Sequence, residues 1–432
     1  MNDPSPGRAP RRSPVFALLL AGAVSEFGNV LTFVAVPWFV LETTGSAART
    51  GLTGGAVTLA VVAAGIFGGP IVDRLGFKRT SVLADLASGA TVAAIPLLYH
   101  TVGLAYWQLL VLVFLGALLD APGLTARQSM APDLAQMAGI RTERVNSALQ
   151  AIQQSALLLG PPAAGVLIAV LTTSNVLWLD AATFAVSAAA IASLVPALAG
   201  RSAGTSAGDR GSRRYLIELA EGLRFVRRDP VSSSTIPISV GLNFLIAPVL
   251  SVALPVLADR AYESATSLGL MLGGYGGGAL AGAVLFGLAG HRLPRRATFV
   301  VLLFVQALPL WALAAGVSLP VAVVALALMG FGVGPVNPLV YTAIQERTPK
   351  ELLGRVQGAS GALAMAAVPP GMVLVGYALE VAGLRPTLIA VAACYLAVAA
   401  YALLNPALKE MDAPPRSHTQ QHPPAPGHAS DR

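Results

Sequence analysis

The sequence predicts an all-α polytopic membrane protein, and three observations support this fold class. The chain has 432 residues, of which 55% are hydrophobic and only 11% are charged, whereas soluble domains carry about 25% charged residues. Its apolar stretches suffice for about twelve transmembrane helices, since a bilayer core about 30 Å thick requires about twenty apolar residues per helix. The basic residues fall in every second gap between these stretches.

The alternation of basic gaps predicts how the chain is oriented. Of the 28 Lys and Arg residues, all but Arg49, Arg260 and Arg385 lie in alternate gaps. Cytoplasmic connections collect Lys and Arg, so we expect both termini to be cytoplasmic and the protein to lie in the inner (plasma) membrane. The basic clusters flank apolar stretches and lack interleaved aromatic residues, which favours the lipid bilayer as partner and argues against nucleic acid.

The apolar stretches divide into two sets of six around the longest connection. Helices are expected throughout, because the strands of a membrane barrel alternate apolar and polar residues. The first stretch runs to about Leu41, which is too long for a signal peptide. The predicted spans are 15–41, 51–71, 81–100, 104–125, 146–171, 176–197, 232–257, 267–290, 297–317, 321–344, 357–379 and 386–405. The predicted segments are a cytoplasmic tail (1–14), a six-helix bundle (15–197), a cytoplasmic linker (198–231), a second six-helix bundle (232–405) and a disordered cytoplasmic tail (406–432).

The linker contains a candidate amphipathic helix. Leu216, Leu219, Leu223 and Val226 recur at helical spacing among basic residues. Such a helix is typical of a segment that lies on the inner membrane surface.

Short sequence words recur in the same order in the two halves. Pro122, Arg144-Val145-Asn146 and Gly160-Pro161-Pro162 correspond to Pro338, Arg355-Val356-Gln357 and Val368-Pro369-Pro370. Parallel repeats of this kind build one class of secondary transporter, in which the substrate site lies near the midplane between the repeats. The sequence therefore predicts two six-helix halves related by pseudo-two-fold symmetry.

The loop after the second predicted helix carries the strongest local motif. Its defined positions are Gly69, Asp73, Arg74, Gly76, Lys78 and Arg79. This spacing resembles the signature of the major facilitator superfamily. The resemblance implies a cytoplasmic gate motif that latches the two halves in the outward-open state, with the start of the eleventh helix near Arg355 as its partner. Gly76 is expected to permit a tight turn.

A second motif lies in the fifth predicted helix at Gly160, Pro161 and Gly165. It resembles the antiporter motif of exporters in this superfamily, although Ala164 stands where a second glycine is common. Proline inside a helix removes a backbone hydrogen bond and kinks the helix, so a simple packing kink is the alternative interpretation. The resemblance favours export over uptake.

Glycines form two stripes in the eighth predicted helix. Small residues four positions apart let helix backbones approach closely, and the fifth and eighth helices of this superfamily pack across the two halves. We therefore expect a close contact there. The two stripes are Gly274, Gly278 and Gly282, and Gly269, Gly273 and Gly277.

Glu26 is the candidate for proton coupling. It lies about 15 Å into the first predicted helix at 1.5 Å per residue, and it is the one ionisable side chain that we expect near the midplane. Asp85, Asp120 and Asp180 are expected near helix ends, with Asp85 paired to the nearby basic loop. A carboxyl group in the membrane can take and release a proton as its surroundings change; a structural, hydrogen-bonded Glu26 is the alternative.

The fourth predicted helix departs from the family pattern. Antiporters of the superfamily often have an arginine there, but Leu109–Leu119 contains no basic residue. Further cavity candidates are polar residues inside the apolar stretches, each of which could instead form interhelical hydrogen bonds. These candidates are Asn29, Gln108, Gln150, Gln154, Asn243, Asn337 and Tyr341.

Several segments resemble the enterobactin-exporter and macrolide-efflux branch of the superfamily. The resemblance implies a secondary active transporter that exports a small amphipathic molecule, such as an antibiotic, macrolide or siderophore, by proton antiport through alternating access. The segments are Ser25-Glu26-Phe27-Gly28-Asn29, Val36-Pro37-Trp38, Asp73-Arg74, Trp178-Leu179-Asp180-Ala181-Ala182, 221–230 and Gly354-Arg355-Val356.

Other functions are less consistent with the sequence. The chain has no Gly-Lys dipeptide and hence no phosphate-binding P-loop, and one cysteine, Cys394, gives no thiolate cluster. We therefore expect no enzyme activity, no cofactor and no metal, with a proton gradient as energy source and a monomer as the working unit. An uptake permease for a small solute is the alternative within transport, and a non-transporting membrane receptor or scaffold is the alternative outside it.

Overall fold

The protein is a bundle of long helices. The structure, a computed structural model, describes residues 12–196 and 212–412, without the side chains of residues 66–71, 73 and 212–216. Within this part of the chain, twelve helical segments are long and apolar enough to cross a membrane, and strands do not occur in it. The predicted all-α, twelve-helix fold class is confirmed.

The first half contains six spanning helices joined by short connections. Gly45 ends the first helix in a left-handed conformation with a φ of 64°, and the Ser46 side chain accepts a hydrogen bond from the Arg49 backbone N–H at the start of the second. Gly76 has a φ of 78°, which confirms the expected tight turn. The helices are α1 (Ser13–Thr44), α2 (Ala47–Leu75), α3 (Phe77–Thr101), α4 (Tyr106–Met137), α5 (Thr142–Leu171) and α6 (Thr173–Leu194).

The second half has six spanning segments, two of which are interrupted. A π-helical turn at Val249–Ala253 joins α8 to α9, and a break at Ala367 separates α13 from α14. The helices are α8 (Pro230–Pro248), α9 (Leu254–Tyr262), α10 (Ala265–Ala289), α11 (Arg295–Ala314), α12 (Leu319–Arg347), α13 (Leu353–Ala366), α14 (Val368–Val381) and α15 (Leu384–Leu404), followed by a short 3-10 helix (Pro406–Asp412).

The linker helix α7 (Ser212–Arg228) coincides with the predicted amphipathic segment. It packs against α13, where Arg355 forms an ion pair with Glu221. A Cβ atom at Gly222 would collide with the Arg355 backbone carbonyl, so glycine lets α7 approach the α13 backbone. The side chain of Leu216 lies outside the described residues.

The fourth helix differs from its prediction. Its apolar stretch ends near residue 125, but α4 continues as helix to Met137 and stops before Gly139, which has a φ of 64°. The prediction was wrong because hydropathy marks where the apolar residues end, whereas the helical backbone of α4 continues through the polar residues that follow. Arg127 therefore lies inside α4 rather than in a loop.

Small residues hold the two halves together. α5 crosses α10 with Gly165 facing Gly269, and α2 crosses α14 with Gly51 facing Gly376, so closely that a Cβ atom at any of the four would collide with backbone of the other helix. The other α10 stripe, represented by Gly278, packs against α12 at Ala327 and its neighbours. The expected close contact between the fifth and eighth predicted helices, α5 and α10, is confirmed.

These contacts between the halves lie toward one face of the bundle, the face that carries the connections at Gly45 and Thr172. We call it the closed face. A carboxylate also bridges the halves there: Glu380 Oε2 of α14 accepts hydrogen bonds from Ser46 Oγ at 3.2 Å and from the Ala48 backbone N–H at 3.3 Å. This places a negative charge at the N-terminus of α2, where the helix dipole favours it.

Candidate functional site

A cluster of buried charged side chains lies inside the first half. Arg127 of α4 is 3% exposed, and its Nη1 donates to Asp85 Oδ1 of α3 at 2.6 Å. Its Nη2 donates to Ser25 Oγ at 3.3 Å and lies 3.9 Å from Asp120 Oδ1. One guanidinium therefore connects α1, α3 and α4.

This arrangement corrects three expectations. The fourth helix does contain an arginine, and Asp85 pairs with that arginine and with Ser187 Oγ at 2.6 Å rather than with the basic loop. Glu26 is not alone: Arg127 and Asp120 lie near enough to act on it electrostatically. The expectations failed because hydropathy ended the fourth helix too early and so assigned Arg127 to a cytoplasmic gap.

A polar ladder runs along one side of α1. Ser25 accepts from Arg127, Asn29 Nδ2 donates to Asp120 Oδ2 at 3.1 Å, and Thr32 Oγ1 donates to Asp180 Oδ2. The spacing of three to four residues puts all three side chains on the same helix face. The ladder spans about 10 Å at 1.5 Å per residue, so it links the charged sites of α4 and α6.

A cavity of about 320 Å³ opens beside the end of this ladder where Ser25 meets Arg127. Glu26 lines it together with Arg127, and Gln150 of the predicted cavity set lies there too. Three further amide side chains contribute that the sequence reasoning missed: Gln128, Asn146 and Gln153. On α5, positions 146, 150 and 153 recur at helical spacing, and this periodicity could have revealed them.

The remaining cavity candidates are scattered. Gln108 Oε1 accepts from the Ala105 backbone N–H at 2.9 Å at the start of α4, and Asn243 Nδ2 donates to the Ser239 carbonyl at 2.9 Å. Gln154, Asn337 and Tyr341 are exposed. None of these five lines the cavity beside Glu26.

The gate motif is described in part. Lys78 Nζ donates to the carbonyl oxygens of Ala192 at 2.8 Å and Val195 at 2.5 Å, so it fixes the end of α6. Arg74 and Arg79 are exposed. The burial of Gly69 and the side chain of Asp73 are not described. Arg355, the expected partner of the motif, pairs with Glu221 of α7 in this structure.

The antiporter-like motif forms two helix contacts. A Cβ atom at Gly160 would lie 2.5 Å from the Val30 side chain of α1, and one at Gly165 would lie 2.6 Å from the Ala265 carbonyl of α10. Pro161 presents its carbonyl to Gly269. The motif therefore packs α5 against both halves, next to the helix that carries Glu26.

The chain is similar to known transport proteins over most of its length. The profile of a family described as transmembrane secretion effector matches residues 5–429. The multidrug efflux pump Tap of Mycolicibacterium fortuitum is 34% identical over 93% of this chain and 98% of that protein. Tap of Mycobacterium tuberculosis strain H37Rv is 34% identical over 95% and 97%, respectively, and macrolide efflux protein A of Streptococcus pyogenes is 24% identical over 83% and 88%.

Solved structures with the same fold include two transporters. The nucleoside transporter NupG superposes with a TM-score of 0.76 at 11% identity, over 90% of this chain and 98% of that one. A bacterial homologue of the human lysosomal transporter Spinster, in an inward-facing and unoccupied conformation, gives a TM-score of 0.67 at 13% identity, over 94% and 98%. At these identities the likeness shows the fold alone.

Proposed function

Since the chain belongs to the transmembrane secretion effector family of the major facilitator superfamily, we propose that it exports small amphipathic molecules, antibiotics such as macrolides among them. Relatives that align over nearly their whole length are named as a multidrug efflux pump and a macrolide efflux protein. The proposal places the protein in the plasma membrane as a monomer with both termini in the cytoplasm, as the basic connections favour.

The cavity beside Glu26 is the observation that carries this proposal. Glu26 makes no hydrogen bond or ion pair with the described residues, while Arg127 is already engaged by Asp85. The carboxyl group is thus available to a ligand, and the surrounding amides of Gln128, Asn146 and Gln150 can donate and accept hydrogen bonds. A cavity with a carboxyl group that no ion pair engages and with adaptable amides suits varied amphipathic molecules.

Proton antiport would use the same carboxyl group. In a form open to the outside, Glu26 takes a proton from external water and loses its attraction for a basic group of the substrate, which leaves. In a form open to the cytoplasm, the proton leaves and the ionised carboxylate binds the next molecule. The proton and the basic group of the substrate exclude each other at the Glu26 carboxyl group. This mutual exclusion is what couples proton entry to substrate export.

Alternating access would follow from the contacts between the halves. The glycine crossings at Gly165–Gly269 and Gly51–Gly376 hold the closed face shut. We propose that rocking of the halves separates these crossings and brings the loop that contains Gly76 toward α13. In that second form Arg355 would exchange Glu221 for the gate motif.

The test compares Glu26→Gln with wild type in everted membrane vesicles, with ethidium and radiolabelled erythromycin as probes. We expect an acid-inside gradient to drive both probes into wild-type vesicles and Glu26→Gln to abolish the gradient-dependent part. Glu143→Gln is the matched control, because Glu143 has a side chain 74% exposed at the start of α5. Transport by Glu26→Gln that is undiminished and equally pH-dependent would refute the coupling role. Probe movement in the opposite direction would indicate an uptake permease. If the wild-type protein moved neither probe, the protein would not be a transporter of these molecules.

A further inference from the structure

Four carboxyl side chains share the interior of the first half with one guanidinium. Asp85 is matched by Arg127 at 2.6 Å. Of the other three, Asp120 lies in a longer ion pair with the same guanidinium at 3.9 Å, while Glu26 and Asp180 form no ion pair among the described residues. An ionised carboxylate that lacks a partner is costly within a bilayer. Glu26 and Asp180 must therefore bind a proton or meet a cation from outside the protein.

Asp180 is the most enclosed of the three. Its side chain is 0% exposed, and two hydroxyl groups contact it: Thr32 Oγ1 of α1 donates to Oδ2, and Thr183 Oγ1 donates to Oδ1 at 3.0 Å. A Cβ atom at Gly28 would collide with both Asp180 and Thr183. The glycine in α1 thus leaves room for a carboxyl group that no substrate in the cavity can reach.

The position of Asp180 along the bundle differs from that of Glu26. It lies seven residues after the start of α6, about 10 Å from the closed face. Polar side chains lie at that face, at the first turn of α6: Thr173 Oγ1 donates to Glu42 Oε2 at 2.7 Å, and His100 Nε2 lies 2.8 Å from Ser174 Oγ. On its other side the α1 ladder continues to Asp120 and Arg127. Asp180 therefore stands between the closed face and the Glu26 cavity.

We propose that Asp180 is a second proton-binding site, loaded from water at the closed face and connected to Glu26 through the polar ladder of α1. The carboxylate gains one proton and becomes a carboxylic acid, and the same proton later leaves toward Asp120; no other bond changes. This inference rests on the proton coupling in the proposed function, and it adds a site that two threonines position at the α1–α6 interface.

Other titratable groups around Asp180 set its charge environment. α5 has none between Asn146 and Leu171, and the like charge of Asp120 is the one that acts on Asp180. A positive group therefore does not hold Asp180 ionised, which makes proton uptake the available means of neutralising it. The titratable and charged groups on the elements that pack near it are Glu26 and Glu42 on α1, Asp85, Tyr99 and His100 on α3, and Asp120 and Arg127 on α4.

The test measures proton binding directly, without substrate or gradient. The full-length protein is reconstituted in liposomes, and the stretching band of protonated carboxyl groups is followed by infrared spectroscopy as the pH is raised. We expect the part of the titrating band lost in Asp180→Asn to differ from the part lost in Glu26→Gln. An Asp180→Asn protein with the same titrating band as wild type would overturn the proposal, because the carboxyl would then never exchange its proton.

Thr32→Val is the second variant, and it keeps the carboxyl group. Loss of a hydrogen bond from the Thr32 hydroxyl should move the Asp180 band to higher wavenumber, while the band assigned to Glu26 stays in place. This outcome would support the assignment even if Asp180→Asn failed to fold. Unchanged titrating bands in Thr32→Val would count against it.

The two proposals fail separately. If Asp180 titrates but efflux of erythromycin proceeds without a proton gradient, the antiport mechanism is wrong and the proton site remains. If efflux depends on the gradient and on Glu26, but neither Asp180→Asn nor Thr32→Val alters the titrating bands, the role of Asp180 is wrong and the antiport mechanism remains.

Discussion

The crossing of α5 and α10 allows a substitution whose effect can be worked out from the structure. An ideal Cβ atom at Gly269 would lie 2.5 Å from the Pro161 carbonyl oxygen and 3.0 Å from Gly165 Cα. Ordinary contact begins at about 3.5 Å, so Gly269→Ala must push the helices apart by about 1 Å. Both neighbours are backbone atoms and have no rotamer that could relieve the collision.

The expected consequence is a shift of the conformational equilibrium away from the form with the closed face shut. Overpacking of a well-packed contact costs about 1–3 kcal/mol, which corresponds to about a 5- to 150-fold change in the ratio of two conformations. A protein that rests mainly in the structure described here would then populate the form with that face open, and exchange of substrate would slow.

Spin labels across the closed face would measure this shift. In a Cys394→Ser background, cysteines replace Val102, which is 75% exposed, and Ser318, which is exposed on the connection of the other half. Pulsed electron paramagnetic resonance should show a longer distance population in Gly269→Ala. The matched control is Gly287→Ala on the same helix, where a Cβ atom meets nothing within 4 Å.

Because both alanines raise helix propensity equally, any difference between the two variants reports the crossing itself. The same distance distribution and the same transport rate in both variants would refute the reasoning, since the crossing would then be tolerant of a methyl group.

Two further perturbations test the buried cluster and the closed face. Arg127→Met leaves Asp85 buried without its partner and should destabilise the protein by about 3–5 kcal/mol; the thermal midpoint in detergent should recover in part when Asp85→Asn is added, and no recovery would contradict the pairing. Glu380→Gln removes a charge from the N-terminus of α2 and should cost about 0.3–1 kcal/mol. The spin-label pair should then show a smaller shift than Gly269→Ala gives, and an equal or larger shift would argue that the carboxylate, not the glycine crossing, holds the face shut.

Much of the fold could be predicted from the sequence, because membrane spans are a local property. A run of about twenty apolar residues crosses a bilayer whatever its neighbours are, and glycine stripes mark close helix contacts without knowledge of the partner. The turn at Gly76 follows from such a local rule, whereas the expectation that α5 crosses α10 came from the resemblance to the superfamily. The site depended on information of another kind.

The candidate site was predicted only in part. Glu26 and Gln150 were identified, but the partners that define their chemistry come from other helices. The C-terminal third of α4 is polar, so hydropathy placed the end of the helix before Arg127. Gly139 is a helix-stop signal, and a helix that continued to this glycine would have included Arg127. That Asp85 lies 2.6 Å from Arg127 is a tertiary fact for which a single sequence offers no local sign.

The distribution of charge indicates that the two related halves have different tasks. In the first half, Glu26, Asp120 and Asp180 lie deep inside the helix bundle, whereas the charged residues on the helices of the second half lie at or near helix ends. There they form clamps: Arg347 of α12 contacts Asp229 at 3.0 Å and Glu410 at 2.7 Å, which ties the start of α8 and the C-terminal segment to the bundle.

Ion pairs at helix ends fix the second half as one unit, while buried carboxyl groups give the first half sites that change charge. A proton that binds in the first half can therefore alter how that half packs against the second half, whose charged residues in the described helices lie at or near helix ends. The effect of a bound proton on packing must then appear at the glycine crossings. These are close backbone contacts between the first half, whose charge varies with proton binding, and the second half.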